Sequence, residues 1–200
     1  MLAVLITDNE ILKKIAGGDK NQYRVLVERY QQVIFRTCFG FVHNRDDADD
    51  LVQEVFIQAY KAIPGFRHES SFSTWLYRIA VNASLNHVRS NSKNFILRRI
   101  DDYFGSGKRD TGELNVIDEE DPESMLIRDE QRAWIKKALD SLPDNQRTAI
   151  VLSKYDDLSQ KEIAAIMDTS EGAVEALIQR AKANLRKRLS SAINKKSIKP

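Results

Sequence analysis

The sequence predicts an all-α protein made of two small helical domains joined by a flexible linker, with a helix-turn-helix in the C-terminal domain. Three observations predict it. Apolar residues recur at helical spacing through most of the chain, no segment shows the apolar–polar alternation of a strand, and the periodicity lapses once, in a glycine- and charge-rich middle. The 200 residues are enough for two cores of this kind. The expected boundaries are 1–92 for the first domain, 93–120 for the linker, 121–192 for the second domain and 193–200 for a basic tail.

The helices follow in order. TDNE sets Thr7 as an N-cap with Glu10 three residues on, the pattern of a capping box, and Gly17-Gly18 closes that short helix. Asp19 and Gln22 repeat the start signal. Tyr23, Leu26, Val27, Tyr30, Val33, Ile34, Cys38, Phe41 and Val42 then form one apolar stripe. After Asn44 a third helix carries Ala48, Leu51, Val52, Val55, Phe56, Ala59 and Ile63, and Pro64-Gly65 stops it. A fourth, SSFSTWLYRIAVNASLNHVR, lays Phe72, Trp75, Leu76, Ile79, Ala80 and Ala83 on its stripe. Periodicity fades from about Asn91, where Gly105, Gly107 and Gly112 and the acidic run DEEDPE read as a linker.

Helical pattern resumes at Asp121-Pro122, an N-cap followed by proline at the first helical position. Met125, Leu126, Ile135, Ala138, Leu139 and Leu142 make the next stripe, and Pro143 opens a helix that runs to about Tyr155. Ser159 with Glu162 is another capping box, Ile163, Ala164 and Met167 a short stripe, Asp168-Thr169-Ser170 a turn, and Val174, Leu177, Ile178, Ala181 and Leu185 a second stripe. Two short helices joined this tightly have the form of a helix-turn-helix.

Charge is nearly balanced at +2 overall but unevenly placed. No acid occurs from Ala176 onward, whereas Arg180, Lys182, Arg186, Lys187, Arg188, Lys195, Lys196 and Lys199 are basic, which points to an anionic partner, nucleic acid before membrane surface. Cys38 is the one cysteine, so a disulfide framework and a cysteine-rich zinc site are excluded. MLAVLITDNE lacks the basic flank and cleavage site of a signal peptide, and no apolar run approaches a bilayer span. No membrane insertion and a cytoplasmic location are expected.

Catalytic readings fare poorly. GSGKR at Gly105 to Arg109 hints at a phosphate loop, but Asp102 and Arg109 stand where that motif needs glycine and Ser/Thr. His43, His68 and His87 lack metal-ligand spacing. Asp46, Asp50 and Glu54 lie on one helix face opposite Leu51, Val55 and Phe56. Such a stripe is ordinarily solvated, and docking onto a basic partner is the sharper alternative. No catalytic centre, metal or cofactor is expected.

Binding chemistry is richer. The start of a helix-turn-helix second helix enters the major groove, which nominates Ser170, Glu171, Glu175 and Gln179 for base edges and Arg180, Lys182 and Arg186 for phosphates. The loop FRHESS with the amide-rich helix after it could hold unstacked bases against aromatic faces. A stand-alone helix-turn-helix regulator of duplex DNA is the alternative reading.

DDADDLVQEVFIQAYKAIPGFRHESSFSTWLYRIAVNASLNHVR resembles the second conserved region of bacterial RNA polymerase sigma factors of the extracytoplasmic-function group. LDSLPDNQRTAIVLSKYDDLSQKEIAAIMDTSEGAVEALIQRAKANLRKRL looks like their fourth region. The resemblance implies that Asp46, Asp50, Gln53 and Glu54 dock on the clamp helices of the largest subunit of core RNA polymerase. It implies that Phe66, Arg67, His68, Ser70, Ser71, Trp75, Arg78, Asn82, Asn86 and Arg89 open and read single-stranded promoter DNA at the minus-ten element, where base flipping is offset by stacking and edge hydrogen bonds. The helix-turn-helix would read duplex DNA at minus thirty-five, and an anti-sigma factor is an expected partner. Glu175-Ala176 departs from the basic-polar pair many members carry, and the linker is longer and more acidic than a compact member requires.

Overall fold

A computed structural model describes residues 6–104, 134–156 and 158–196, and these form helices and short connections throughout. Helix α1 spans Asp8–Ala16, α2 Tyr23–Val42, α3 Arg45–Ala62 and α4 Phe72–Phe104, with single 3-10 turns at Lys20–Gln22 and Ile63–Gly65. The described part of α5 is residues 134–140, followed by α6 at Asp144–Tyr155, α7 at Gln160–Met167 and α8 at Glu171–Lys196.

The predicted start signals mostly act as expected. The Thr7 hydroxyl accepts from the Glu10 N–H while the Glu10 carboxylate accepts from the Thr7 N–H at 2.7 Å, so two orphan donors of α1 are satisfied reciprocally. Asn44 caps α3 by accepting from the Asp47 N–H at 2.9 Å. Asp19 behaves differently. Its carboxylate takes a hydrogen bond from the Gln22 side chain instead of a backbone N–H, the backbone makes a 3-10 turn, and α2 begins at Tyr23. The expected fading after Asn91 also gives way to continuous helix, since α4 runs to Phe104, into the segment read as linker. Nothing between 92 and 104 breaks a helix, because neither proline nor glycine occurs before Gly105. The glycines of the linker, its acidic run, Asp121-Pro122, Met125 and Leu126 lie outside the described residues.

Helices α2, α3 and α4 pack on one another, with α1 against α2. Leu26, Ile34, Phe41, Leu51, Val55, Phe72 and Leu76 are fully or almost fully buried, each worth about 1.5–3 kcal/mol in water-excluded area. Asp8 accepts from Arg29 and from the Tyr30 hydroxyl, which ties α1 to α2. The Tyr23 hydroxyl donates to the Phe56 carbonyl at 2.6 Å and ties α2 to α3. Around Leu152, Ile163, Val174 and Ile178, helices α6, α7 and α8 form the second cluster. Ile135 of the expected stripe is 48% exposed, whereas Ala138, Leu139 and Leu142 of that stripe are buried.

The two clusters are also in contact. Helix α2 packs on α6, and α4 packs on α7. Gly40 lies at the contact of α2 with α6. A Cβ built there would lie 2.7 Å from Val151 Cγ1 and 2.9 and 3.0 Å from ring carbons of Tyr155. Glycine within a helix costs about 0.5–1 kcal/mol relative to alanine, and here that cost admits α6 against the α2 backbone.

Candidate nucleic-acid interface

Three surfaces carry the nominated residues. On α3, Asp46, Asp50, Gln53 and Glu54 are all exposed, opposite buried Ala48, Leu51, Val55 and Phe56. Asp46 and Asp47 sit in the first turn, where the helix dipole favours carboxylates. The Glu54 carboxylate accepts from the Gln58 amide at 2.7 Å and is thereby oriented along the helix. Ile57, 54% exposed, continues the same face, because it follows Gln53 and Glu54 by four and three residues. Reading the stripe by charge alone passed over Ile57, although the spacing contained the signal.

The second surface is the loop before α4 and the exposed side of that helix. Phe66 gathers an aromatic cluster, with ring centroids 4.7 Å from His68, 4.9 Å from Trp75 and 6.2 Å from Phe72. Phe72 is core at 2% exposure, whereas Trp75 is half-buried and leaves part of its indole at the surface. His68 holds a left-handed backbone at φ 57° and stays exposed beside Arg67, which is also exposed. Ser71 has a structural task, accepting from the Thr74 N–H at 3.1 Å as the cap of α4. Ser70 is half-buried and donates weakly to the Ser71 carbonyl at 3.4 Å.

Arg78, Asn82, Asn86 and Arg89 share one face of α4 by their spacing. Asn82 and Asn86 are exposed. The two arginines are engaged by the other cluster. Arg78 donates to the Ala165 carbonyl at 2.7 Å and the Ile166 carbonyl at 3.2 Å, both in the last turn of α7. Arg89 donates to the Asp144 carboxylate, its Nε at 3.0 Å.

The third surface is the helix-turn-helix. The Ser159–Glu162 capping box starts α7, and Asp168 ends it in a left-handed cap at φ 52°. Ile163, Ala164 and Ile166 are buried with Val174, Ile178 and Ala181, so the apolar stripes of α7 and α8 face inward. Ser170 accepts from the Ala173 N–H at 3.2 Å, a helix-capping bond beside any DNA role. Ser170, Glu171, Glu175, Gln179, Arg180, Lys182 and Arg186 are all exposed along α8. The Asn184 amide donates to Gln146 at 2.8 Å and fixes α8 against α6.

Sequence reasoning missed a fourth group, the contact between α2 and α6. The Thr37 hydroxyl donates to the buried Asp156 carboxylate at 2.7 Å, and Arg36 stands 3.7 Å from its other oxygen. His43 ends α2 in a left-handed cap with its ring 6.2 Å from Tyr155. Burial pulls the His43 imidazole down to about 4, with Asp140 opposing the shift and Lys136 and Arg147 adding to it. Burial likewise pushes the Cys38 thiol up to about 11, so it is a core residue without thiolate reactivity. Among the described residues no group of three or more His, Cys, Asp or Glu could hold a metal ion. No helix among them is long and apolar enough to cross a membrane.

Comparisons with known proteins cover both groups of helices. Residues 26–94 match the family described as Sigma-70 region 2, and residues 132–185 match Sigma-70, region 4. The RNA polymerase sigma-H factor of Pseudomonas aeruginosa is 34% identical over 186 residues, covering 91% of this chain and 93% of that protein. The ECF RNA polymerase sigma-E factor of Escherichia coli K12 is 36% identical over 177 residues, covering 88% and 91%. Among solved structures, CnrH in complex with the cytosolic domain of CnrY aligns with a TM-score of 0.60 at 26% identity, covering 90% of this chain and 96% of that one. The sigma factor RpoE with the anti-sigma factor NepR from Bartonella quintana has a TM-score of 0.54 at 21% identity, covering 84% and 96%, a likeness of fold.

Proposed function

The chain belongs to the sigma-70 family of transcription initiation factors, in its extracytoplasmic-function group, and from that premise we propose how its surfaces divide the work. It directs core RNA polymerase to promoters. The exposed α3 face of Asp46, Asp50, Gln53 and Glu54, extended by Ile57, docks on basic side chains of the polymerase clamp helices. Helix α8 enters the duplex major groove at minus thirty-five, with Ser170, Glu171, Glu175 and Gln179 toward base edges and Arg180, Lys182 and Arg186 toward phosphates. The loop from Phe66 to Ser71, Trp75 and the Arg78–Arg89 face of α4 capture the opened minus-ten strand. The chain acts in the cytoplasm with the polymerase, supplies no catalytic centre of its own, and is a fit partner for an anti-sigma factor, as RpoE is for NepR.

One observation carries this reading over that of a stand-alone duplex regulator. A helix-turn-helix with an exposed second helix shares the chain with another helix whose amide face adjoins an aromatic loop. A duplex regulator needs only the first. The experiment mixes purified chain with core polymerase and scores promoter-dependent transcripts and permanganate-reactive thymines near minus ten. Both should appear. Duplex binding by the chain alone, with neither transcripts nor reactive thymines on adding polymerase, would establish the regulator instead.

A further inference from the structure

We propose, on the reading of α8 as the helix that meets minus-thirty-five DNA, that Glu175 selects one base of that element by exclusion, admitting cytosine and rejecting guanine. Helix α8 divides by charge. From Glu171 to Gln179 it carries the carboxylates of Glu171 and Glu175 and no cation, whereas Arg180, Lys182, Arg186, Lys187 and Arg188 follow. Attraction to phosphates therefore comes from the later turns, and the earlier ones oppose it.

Nothing in the fold asks for a carboxylate at Glu175. The side chain is exposed, and its neighbours along α8 are Glu171, Gly172, Ile178 and Gln179, none of them a cation. Glu171 lies in the first turn, where the helix dipole favours an acid, but that effect fades before Glu175. The two carboxylates stand four positions apart, a like-charge spacing that disfavours helix. Lys182 is seven positions on, about 10 Å along the axis. Arg180 turns elsewhere, its Nε donating to the Ala176 carbonyl at 3.2 Å. Glu175 thus works against its own helix and against the phosphates, and base selection is what it offers in return.

Its setting brings it within reach of base edges. Opposite the buried stripe of Val174, Ile178 and Ala181 runs a ridge of Gly172, Ala176, Gln179 and Ala183, all exposed. Nothing lies within 4 Å of a Cβ built at Gly172, so packing within the chain does not require that glycine, unlike Gly40. Small residues on the ridge let the helix sink toward the groove floor, where the glutamate beside them can touch a base. A carboxylate only accepts hydrogen bonds. In the major groove cytosine offers its N4 amino group, adenine sets the acceptor N7 beside N6, and guanine presents two acceptors, O6 and N7. Cytosine satisfies Glu175, whereas guanine leaves it desolvated against like partial charge.

The full chain, at fixed salt, is used to select from a pool of 30-base-pair duplexes randomised at ten central positions. Anisotropy of the unselected, fluorescein-labelled pool reads general affinity. The wild type should prefer cytosine over guanine at one position by at least about fivefold. Glu175→Gln keeps the shape and removes the charge. It should abolish that preference and raise affinity for the unselected pool about twofold to fivefold, the scale of one exposed charge interaction. Glu175→Arg should turn the same position to guanine, whose O6 and N7 an arginine fork meets. Circular dichroism should be unchanged in both, because the side chain is exposed. Lys182→Ala separates the failures. If it weakens duplex binding while Glu175→Gln leaves the preference as it was, α8 meets DNA and Glu175 does not select. If Glu175→Gln lowers affinity for the unselected pool, the carboxylate attracts rather than excludes, and the proposal falls. Should neither substitution change duplex binding, α8 is not the duplex-reading helix, and the premise falls with the proposal.

Discussion

On α8, Glu175, Gln179, Lys182 and Arg186 all face solvent; on α4, Arg78 and Arg89 are held by the other domain while Asn82 and Asn86 stay exposed. Both faces combine amide and basic side chains over a similar length, with the carboxylate of Glu175 added on α8. They differ in what each face must give up before it meets DNA. On the roles proposed above, α8 can meet a duplex as it stands, whereas α4 would exchange two sets of protein acceptors for phosphates. Duplex reading and strand capture would then be separable steps in one chain.

The largest effect expected is structural and falls on one side of the comparison. Phe72 is buried at the start of α4 and touches Phe66, Trp75 and Tyr30. Phe72→Ala should cost about 3–5 kcal/mol in a urea melt, with the aromatic loop lost along with the core. Trp75→Ala, at a half-buried ring, should cost less stability and proportionately more strand affinity. A Trp75→Ala loss equal to that of Phe72→Ala, with strand binding unchanged in the folded fraction, would make Trp75 a core residue only.

Reversing charge on the α3 surface should come next and leave both DNA faces alone. Asp50→Arg or Glu54→Arg should weaken polymerase binding about tenfold to a hundredfold, as charge reversal against a complementary surface does. Circular dichroism should be unchanged, because both side chains are exposed. Unaltered affinity in a pull-down with core polymerase would remove α3 from the docking surface.

Acid should act on the contact that distinguishes the two faces. The folded His43 imidazole, held by burial at about 4 against an ordinary 6.5, binds a proton less readily than the unfolded or opened ring. Its contribution to stability is therefore complete above about pH 6.5 and declines until about pH 4. The urea midpoint should fall between pH 7 and pH 5 by the equivalent of about 1–2 kcal/mol, and His43→Asn, which tolerates the left-handed backbone, should flatten the slope. An equal slope in His43→Asn would assign the effect to other groups.

How legible all this was in the sequence follows the range of the interactions. Thr7 with Glu10, Asn44, Ser159 with Glu162 and the apolar stripes act within a turn or two, and each appeared where spacing placed it. Asp19 failed as a cap because its own side chain found Gln22 first. Ile135 failed as core because a stripe by itself does not say which edge of it a neighbouring helix covers. The contacts of Arg78 with Ala165 and of Thr37 with Asp156 join residues 87 and 119 positions apart, and no periodicity reports such a pairing. Gly40 was the one local trace, a glycine in a helix interior that its own helix does not explain.

The finest test separates two residues of the open face. Gln179 and Lys182 are both exposed on α8, three positions apart, so they lie on neighbouring parts of one surface. An amide can accept from and donate to a base edge in a pattern that distinguishes adenine, whereas an ammonium meets phosphate as a point charge. Gln179→Ala should therefore relax preference at one minus-thirty-five position by about 1–3 kcal/mol and leave the salt dependence as it was. Lys182→Ala should weaken all duplexes alike and reduce the slope of log K against log salt by about 1. A Gln179 effect that is uniform over sequences, or a Lys182 effect that changes base preference, would mean that α8 lies in the groove at another rotation, with a different set of its exposed residues turned toward the bases.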